Sequence, residues 1–198
     1  MVSQSSIRCS VPVITFTNYL SRLRALYTDI CSAPLPLSAP APASELDSLE
    51  EQCGVRLPTE LRAAWMAANG AHTIIFARPG YLTGYSFLSV AEALQEREGL
   101  KDQAPAYVGY LQPKPRDSRI QAGWFQTGWL PFGNFGGGTL LLILDLAPAE
   151  SGSMGQVIAF THDPDRIEYV APTFERFLGD SLAAIEADPG EFIGAPYF

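Results

Sequence analysis

The run Gly128-Trp-Leu-Pro-Phe-Gly-Asn-Phe-Gly-Gly-Gly-Thr-Leu-Leu-Leu-Ile-Leu-Asp145 decides how the rest of the chain is read. Its second half, Thr139 to Leu144, is a short unbroken apolar run closed by Asp145. That is the pattern of a strand buried on both faces. Ahead of it Gly136, Gly137 and Gly138 carry no Cβ, so the backbone there accepts positive φ or a close approach of another chain. The aromatic segment Trp124 to Pro131 leads into this glycine loop.

Beyond Asp145 the pattern continues as strands. Ala147 to Gly155 reads as a small-residue hairpin connection, Gln156 to His162 as the next strand and Ile167 to Val170 as a short last one. Thr173 then caps a helix whose Phe174, Phe177, Leu178, Leu182 and Ile185 form one apolar stripe, ended by Asp188-Pro189-Gly190.

Upstream, Gln112 to Ile120 mixes Pro113 and Pro115 with Lys114, Arg116 and Arg119, a solvent loop and the most basic patch of the chain. Ala106 to Leu111 reads as a strand. Ser89-Val90-Ala91-Glu92 is a capping box, which predicts a helix over 90–98 ending at Gly99. Thr73–Ala77 and Tyr81–Leu88 read as paired strands, the second broken by Gly84. Before them, one short helix starts at Ser44 with Gly54 in its C-terminal cap. Another starts at Pro58 and stops at Asn69-Gly70 through left-handed backbone. Residues 32–43, with four prolines, form an extended connector. Asn18–Cys31, capped by Thr17, makes the first helix.

Helices, then strands joined by short connections, then a helix describe an α+β fold. The N-terminal helices and the C-terminal helix are expected to pack on an antiparallel meander sheet. Residues 1–43 read as an N-terminal helix and proline-rich connector packed as part of one domain, and 44–198 as its α+β body.

Composition narrows the function classes. Of 198 residues 47% are apolar and 17% charged, which is globular composition. The net charge of −8 argues against nucleic acid and an acidic membrane surface, and favours a basic or neutral protein partner. Cys9, Cys31 and Cys53 show no short Cys-x-x-Cys spacing, which suggests a reducing compartment rather than disulfides or zinc. No apolar run approaches the ~18 residues of a membrane span. The first residues lack a signal-peptide pattern, so the chain is expected to be cytoplasmic and unprocessed.

No reaction is named by the motifs. The glycine loop has no following Lys and leads into a strand, so it lacks the helix N-terminus a phosphate site uses. His162-Asp163-Pro164-Asp165 reads as turn chemistry rather than a metal corner, and no cofactor is expected. No nucleophile elbow is present. An enzyme reading would centre on His162, Asp163 and Asp145. Of the aromatic cluster, Trp129 and Phe132 are expected in the core, and Phe135 is expected exposed, as at a binding hot spot.

Three blocks in order resemble the SUKH superfamily, the group named after a yeast cell-wall synthesis regulator and related bacterial immunity proteins. They are Glu50–Gly70 with Gly54, Leu57-Pro58, Glu60-Leu61 and Asn69-Gly70; Trp129–Asn134 with the three glycines, leading to Leu144-Asp145; and Gly155-Gln156-Val157 with His162-Asp163 and the helix Thr173–Leu178. The resemblance spans roughly residues 44 to 185. It implies an α+β fold and a non-catalytic protein-interaction module, in bacterial members often an immunity protein that neutralises a polymorphic toxin, frequently a nuclease. A basic toxin domain would suit an acidic chain through electrostatic steering. The alternative is a regulatory scaffold of the cell-wall regulator type. The surface expected to bind comprises Phe135, Asn134, Gly137, Asp145, Asp163, Asp165 and Arg116. The first helix, the proline connector and the Pro113–Arg119 loop depart from compact members, and the partner's identity and the oligomeric state do not carry over.

Overall fold

A computed structural model describes residues 14–82 and 84–193. Six strands form one antiparallel meander in sequence order: β1 (Ile74–Ala77), β2 (Gly84–Phe87), β3 (Trp129–Phe135), β4 (Leu140–Asp145), β5 (Gln156–Thr161) and β6 (Arg166–Ala171). The expected α+β class and meander are therefore present. Cys9 lies outside the described residues.

The central strand behaves as its sequence requires. Leu142 and Leu144 face one core, Leu141 and Ile143 the other, and all four are buried. What the sequence reading missed is its partner β3, a segment read only as an aromatic approach to the glycine loop. β2 reaches β3 only at Ser86–Asn134 and Phe87–Gly133, so Pro131 lies outside that ladder, where a residue without an N–H is tolerated. Helix α4 (Val90–Gln103) packs against β3.

The first core is helical. α1 (Phe16–Cys31), α2 (Ala43–Cys53), α3 (Thr59–Ala67) and α5 (Phe174–Ala187) send apolar side chains into one cluster with the inner face of the sheet. The caps lie close to the sequence expectation with shifts of one or two residues. Thr15 rather than Thr17 accepts from Asn18 N, and Gly54 closes α2 at φ 64°. α3 ends differently. Ala68 is extended, and Asn69 instead accepts the Val90 N–H at 2.8 Å through its side chain. The proline connector runs beside residues 69–72, with Ser38 N donating to Gly70 O and His72 N to Pro36 O. A short helix α6 (Pro189–Phe192) follows α5.

The second core has a different cover. α4 (Val90–Gln103) does not stop at Gly99 but continues, because Leu100 buries itself against the outer sheet face. That burial exceeds the ~1 kcal/mol that a helical glycine costs. Ala106–Leu111 is not a strand: Pro105 sits in a 3-10 turn, Ala104–Tyr107, and the chain then runs irregularly to residue 128. Val108 and Leu111 point to solvent at 87% and 88% exposure, so no burial supports pairing there. This segment, with Ile120 and Trp124 turned inward, lies over Leu141, Ile143, Ile158, Phe160 and Ile167. Trp124 stacks on Tyr107 with ring centroids 4.3 Å apart and meets Phe160 edge-on at 5.3 Å.

Candidate functional site

The antiparallel order puts three reversals at one end of the sheet: the one that holds residues 78–82, the glycine hairpin 136–139 and the turn 162–165. Gly136, Gly137 and Gly138 all take positive φ, 68°, 64° and 86°, the first of the two alternatives the sequence left open. The hairpin is tied internally by Gly138 N donating to Asn134 Oδ1 at 2.9 Å. It is tied to the neighbouring turn by His162 N donating to Thr139 O at 2.8 Å.

Between this hairpin, the C-terminal half of α4 and His162 lies a cleft of about 170 Å³. Glu96, Gln103, Gly138, Thr139, Trp124 and Phe160 contribute to its walls. Glu96 is half-buried and accepts a long contact from Asn134 Nδ2 at 3.4 Å. Burial, with the charge of Glu92 nearby, pushes its carboxyl above the usual carboxylate range. The cleft holds one carboxylate, Glu96, and has room for a side chain rather than a nucleotide-sized ligand.

The turn 162–165 forms the far rim. His162 Nδ1 lies 2.6 Å from Asp165 Oδ1, and Asp165, buried, also accepts the Trp124 indole N–H at 2.9 Å. Tyr110 Oη donates to the Asp165 carbonyl at 2.8 Å. Asp163 is exposed at φ 58°, beside a cis bond to Pro164. Among the described residues no group of three or more His, Cys, Asp or Glu is arranged to hold a metal ion.

Of the seven residues singled out, Asn134, Gly137, Asp163 and Asp165 meet at this end. Phe135 is there too, but half-buried and packed against the helical core instead of exposed. Asp145 does not join them. It closes β4 at the opposite end of the sheet, fully buried, accepting from Gln156 Nε2 at 2.9 Å and Ala147 N at 3.0 Å. The His162, Asp163 and Asp145 set therefore does not converge. Arg116 is also elsewhere: half-buried, it donates to Gln112 Oε1 and to the carbonyls of Gln121 and Gly123, stapling its own loop. Sequence reasoning missed Glu96 because it sits on an ordinary charged helix face; its position two turns after the capping box was the available signal.

A model of the SMI1 / KNR4 family (SUKH-1) matches residues 40–180, from the end of the proline connector into α5. The fission yeast Schizosaccharomyces pombe protein described as a cell wall biosynthesis/cell cycle regulator, smi1, is 26% identical over 182 residues. The match covers 85% of this chain and 34% of that relative, so the chain spans about a third of its length. No helix among the described residues is long and apolar enough to cross a membrane.

Proposed function

Because the chain belongs to the SMI1 / KNR4 family (SUKH-1), we propose that it is a non-catalytic protein-binding module whose partner docks at the glycine-hairpin end. The observation that carries this reading is the side-chain-sized cleft framed by the Glu96 carboxylate, the hairpin and His162. Such a cleft accepts a projecting basic residue, and the exposed Asp163 beside it extends the same sign outward.

The more specific reading is an immunity protein that occludes a basic toxin domain in the cytoplasm, favoured by the net charge of −8. The second reading, a scaffold in cell-wall regulation, is favoured by the description of the fission yeast relative. Both use the same surface and differ in partner.

The test is co-purification of the full chain with the C-terminal domain encoded by the adjacent large open reading frame, followed by calorimetric titration. The immunity reading expects tight binding, weakened at least tenfold, about 1.4 kcal/mol, by Asp163→Lys. Absence of binding at micromolar concentration sinks the immunity pairing and leaves the regulatory one. Binding unaffected by both Asp163→Lys and Glu96→Gln moves the docking face away from the hairpin end.

A further inference from the structure

β6 is an edge strand of the sheet, and an edge presents backbone N–H and C=O groups with no ladder partner. At Ile167 those groups meet a substitute. The Ile167 N–H donates to Gln112 Oε1 at 3.4 Å, and its C=O accepts from Gln112 Nε2 at 3.5 Å. A side-chain amide thus stands where a peptide unit of a seventh strand would stand. Both contacts are longer than the ~2.9–3.0 Å of an ordinary ladder bond, so a backbone would make them better. Period-two alternation turns the N–H and C=O of Tyr169 to the same side.

Alongside this edge runs a groove of about 290 Å³, with loop residues 112–119 on one wall and Arg166 to Tyr169 on the other. Lys114, Arg119 and Arg166 line it. Asp117 is engaged by Arg119, whose guanidinium holds its carboxyl down at about 2, well below the usual carboxylate range. Glu168 is bonded by the buried Arg78 at 2.8 Å as well as by Arg166 at 3.0 Å. The cations therefore exceed the anions, and Arg166 Nε is buried without a hydrogen-bond partner among the described residues. Leu111, next to Gln112, is 88% exposed.

We propose that an extended, acidic segment of a partner protein adds to β6 as a seventh strand, displacing the Gln112 amide and placing carboxylates against Lys114 and Arg166. Backbone pairing supplies the affinity and the cationic groove the preference for acidic sequence. The inference rests on the chain being a protein-binding module, but its surface is separate from the hairpin-end cleft. A basic partner surface bound at the cleft and an acidic strand bound at β6 give a bipartite interface of opposite signs.

The test uses the full chain and an acetylated, amidated heptapeptide alternating valine with aspartate, followed by amide NMR and calorimetry. Saturable binding is expected, with the Ile167 and Tyr169 amides shifting and gaining exchange protection. Backbone N-methylation of the peptide at alternate residues, or replacement of its aspartates by lysines, is expected to weaken binding at least tenfold. Lys114→Glu, at an exposed site, is expected to weaken it about fivefold, and Gln112→Ala to tighten it about threefold by removing the internal occupant. The proposal is overturned by no saturable binding, by equal binding of the N-methylated peptide, or by shifts confined to residues away from β6. Failure here leaves co-purification at the cleft unaffected, so the two readings fail separately.

Discussion

Asp145 carries a lesson about charged strand ends. A carboxylate closing an apolar run reads as the point where a strand meets water, yet here the side chain has no solvent access. Gln156 explains why: its amide donates to Asp145 at 2.9 Å and to the Arg119 carbonyl at 2.8 Å, while its Oε1 accepts from Ser153 N. The network ties the β4–β5 connection to the loop over the outer sheet face. Asp145→Ala leaves one of the two Gln156 amide hydrogen bonds and the Ala147 N–H without an acceptor and is expected to cost about 2–3 kcal/mol in urea denaturation. Burial raises this carboxyl above its ordinary value, against the hydrogen bonds from Gln156 and Ala147. A raised folded-state pKa gives a contribution that is full below the unfolded value and declines as pH rises through the folded one. Asn does not titrate, so the penalty of Asp145→Asn is expected to be smaller at pH 7 than at pH 4. Asp117 has the opposite sign. Held down to about 2, it stabilises above about pH 4 and loses that contribution as pH falls towards 2, by tenths of a kcal/mol because solvent reaches and screens the pair. None of this was legible from sequence, because local spacing carries no sign of which carboxylate is surrounded.

Among the elements, the most legible were those whose apolar period closes on one face. α5 and β4 followed from Phe174, Phe177, Leu178 and from Leu140–Leu144 with no tertiary knowledge. The elements misread were those where a tertiary partner overrode the local signal. Gly99 was outweighed by the burial of Leu100, and β3 was hidden in an aromatic approach to the glycine loop until its pairing with β4 identified it. Ser181 marks the same limit within α5. It reads as a polar interruption of the stripe, yet it is fully buried, accepts the Ala77 N–H at 2.8 Å and lies 3.0 Å from Tyr19 Oη. One hydroxyl thus joins α1, β1 and α5. Ser181→Ala is expected to cost about 1–2 kcal/mol and to speed hydrogen exchange at the Ala77 amide, measured by NMR.

At the scale of the molecule, the sheet curls until its ends are joined by side chains: Arg78, just beyond β1, bonds Glu168 on β6 and lies 3.7 Å over the Tyr81 ring. Glu168→Ala strands a buried guanidinium and is expected to lower stability by about 3 kcal/mol in thermal or urea unfolding. The matched span 40–180 excludes α1, although Phe16, Tyr19, Leu20 and Leu23 are at most 2% exposed. Removing four such side chains forfeits about 6–12 kcal/mol, as much as a domain's whole stability. Deletion of residues 1–39 alone, with α5 kept whole, is therefore expected to abolish the cooperative melt seen by circular dichroism. The helix was legible from its period, and its indispensability was not. The two sheet faces also differ in how they are covered, one by helices and one by a strap of irregular chain beside the C-terminal part of α4. Trp65 and Trp129 are fully enclosed, whereas Trp124 sits in the strap, face to face with Tyr107 and bonded to Asp165. The molecule thus contains its own optical gauge: as the strap lifts, the emission that reddens and becomes quenchable by iodide is that of Trp124 and then of Trp129, which lies in the same outer core, while Trp65, held among the helices, stays shielded until the whole fold gives way.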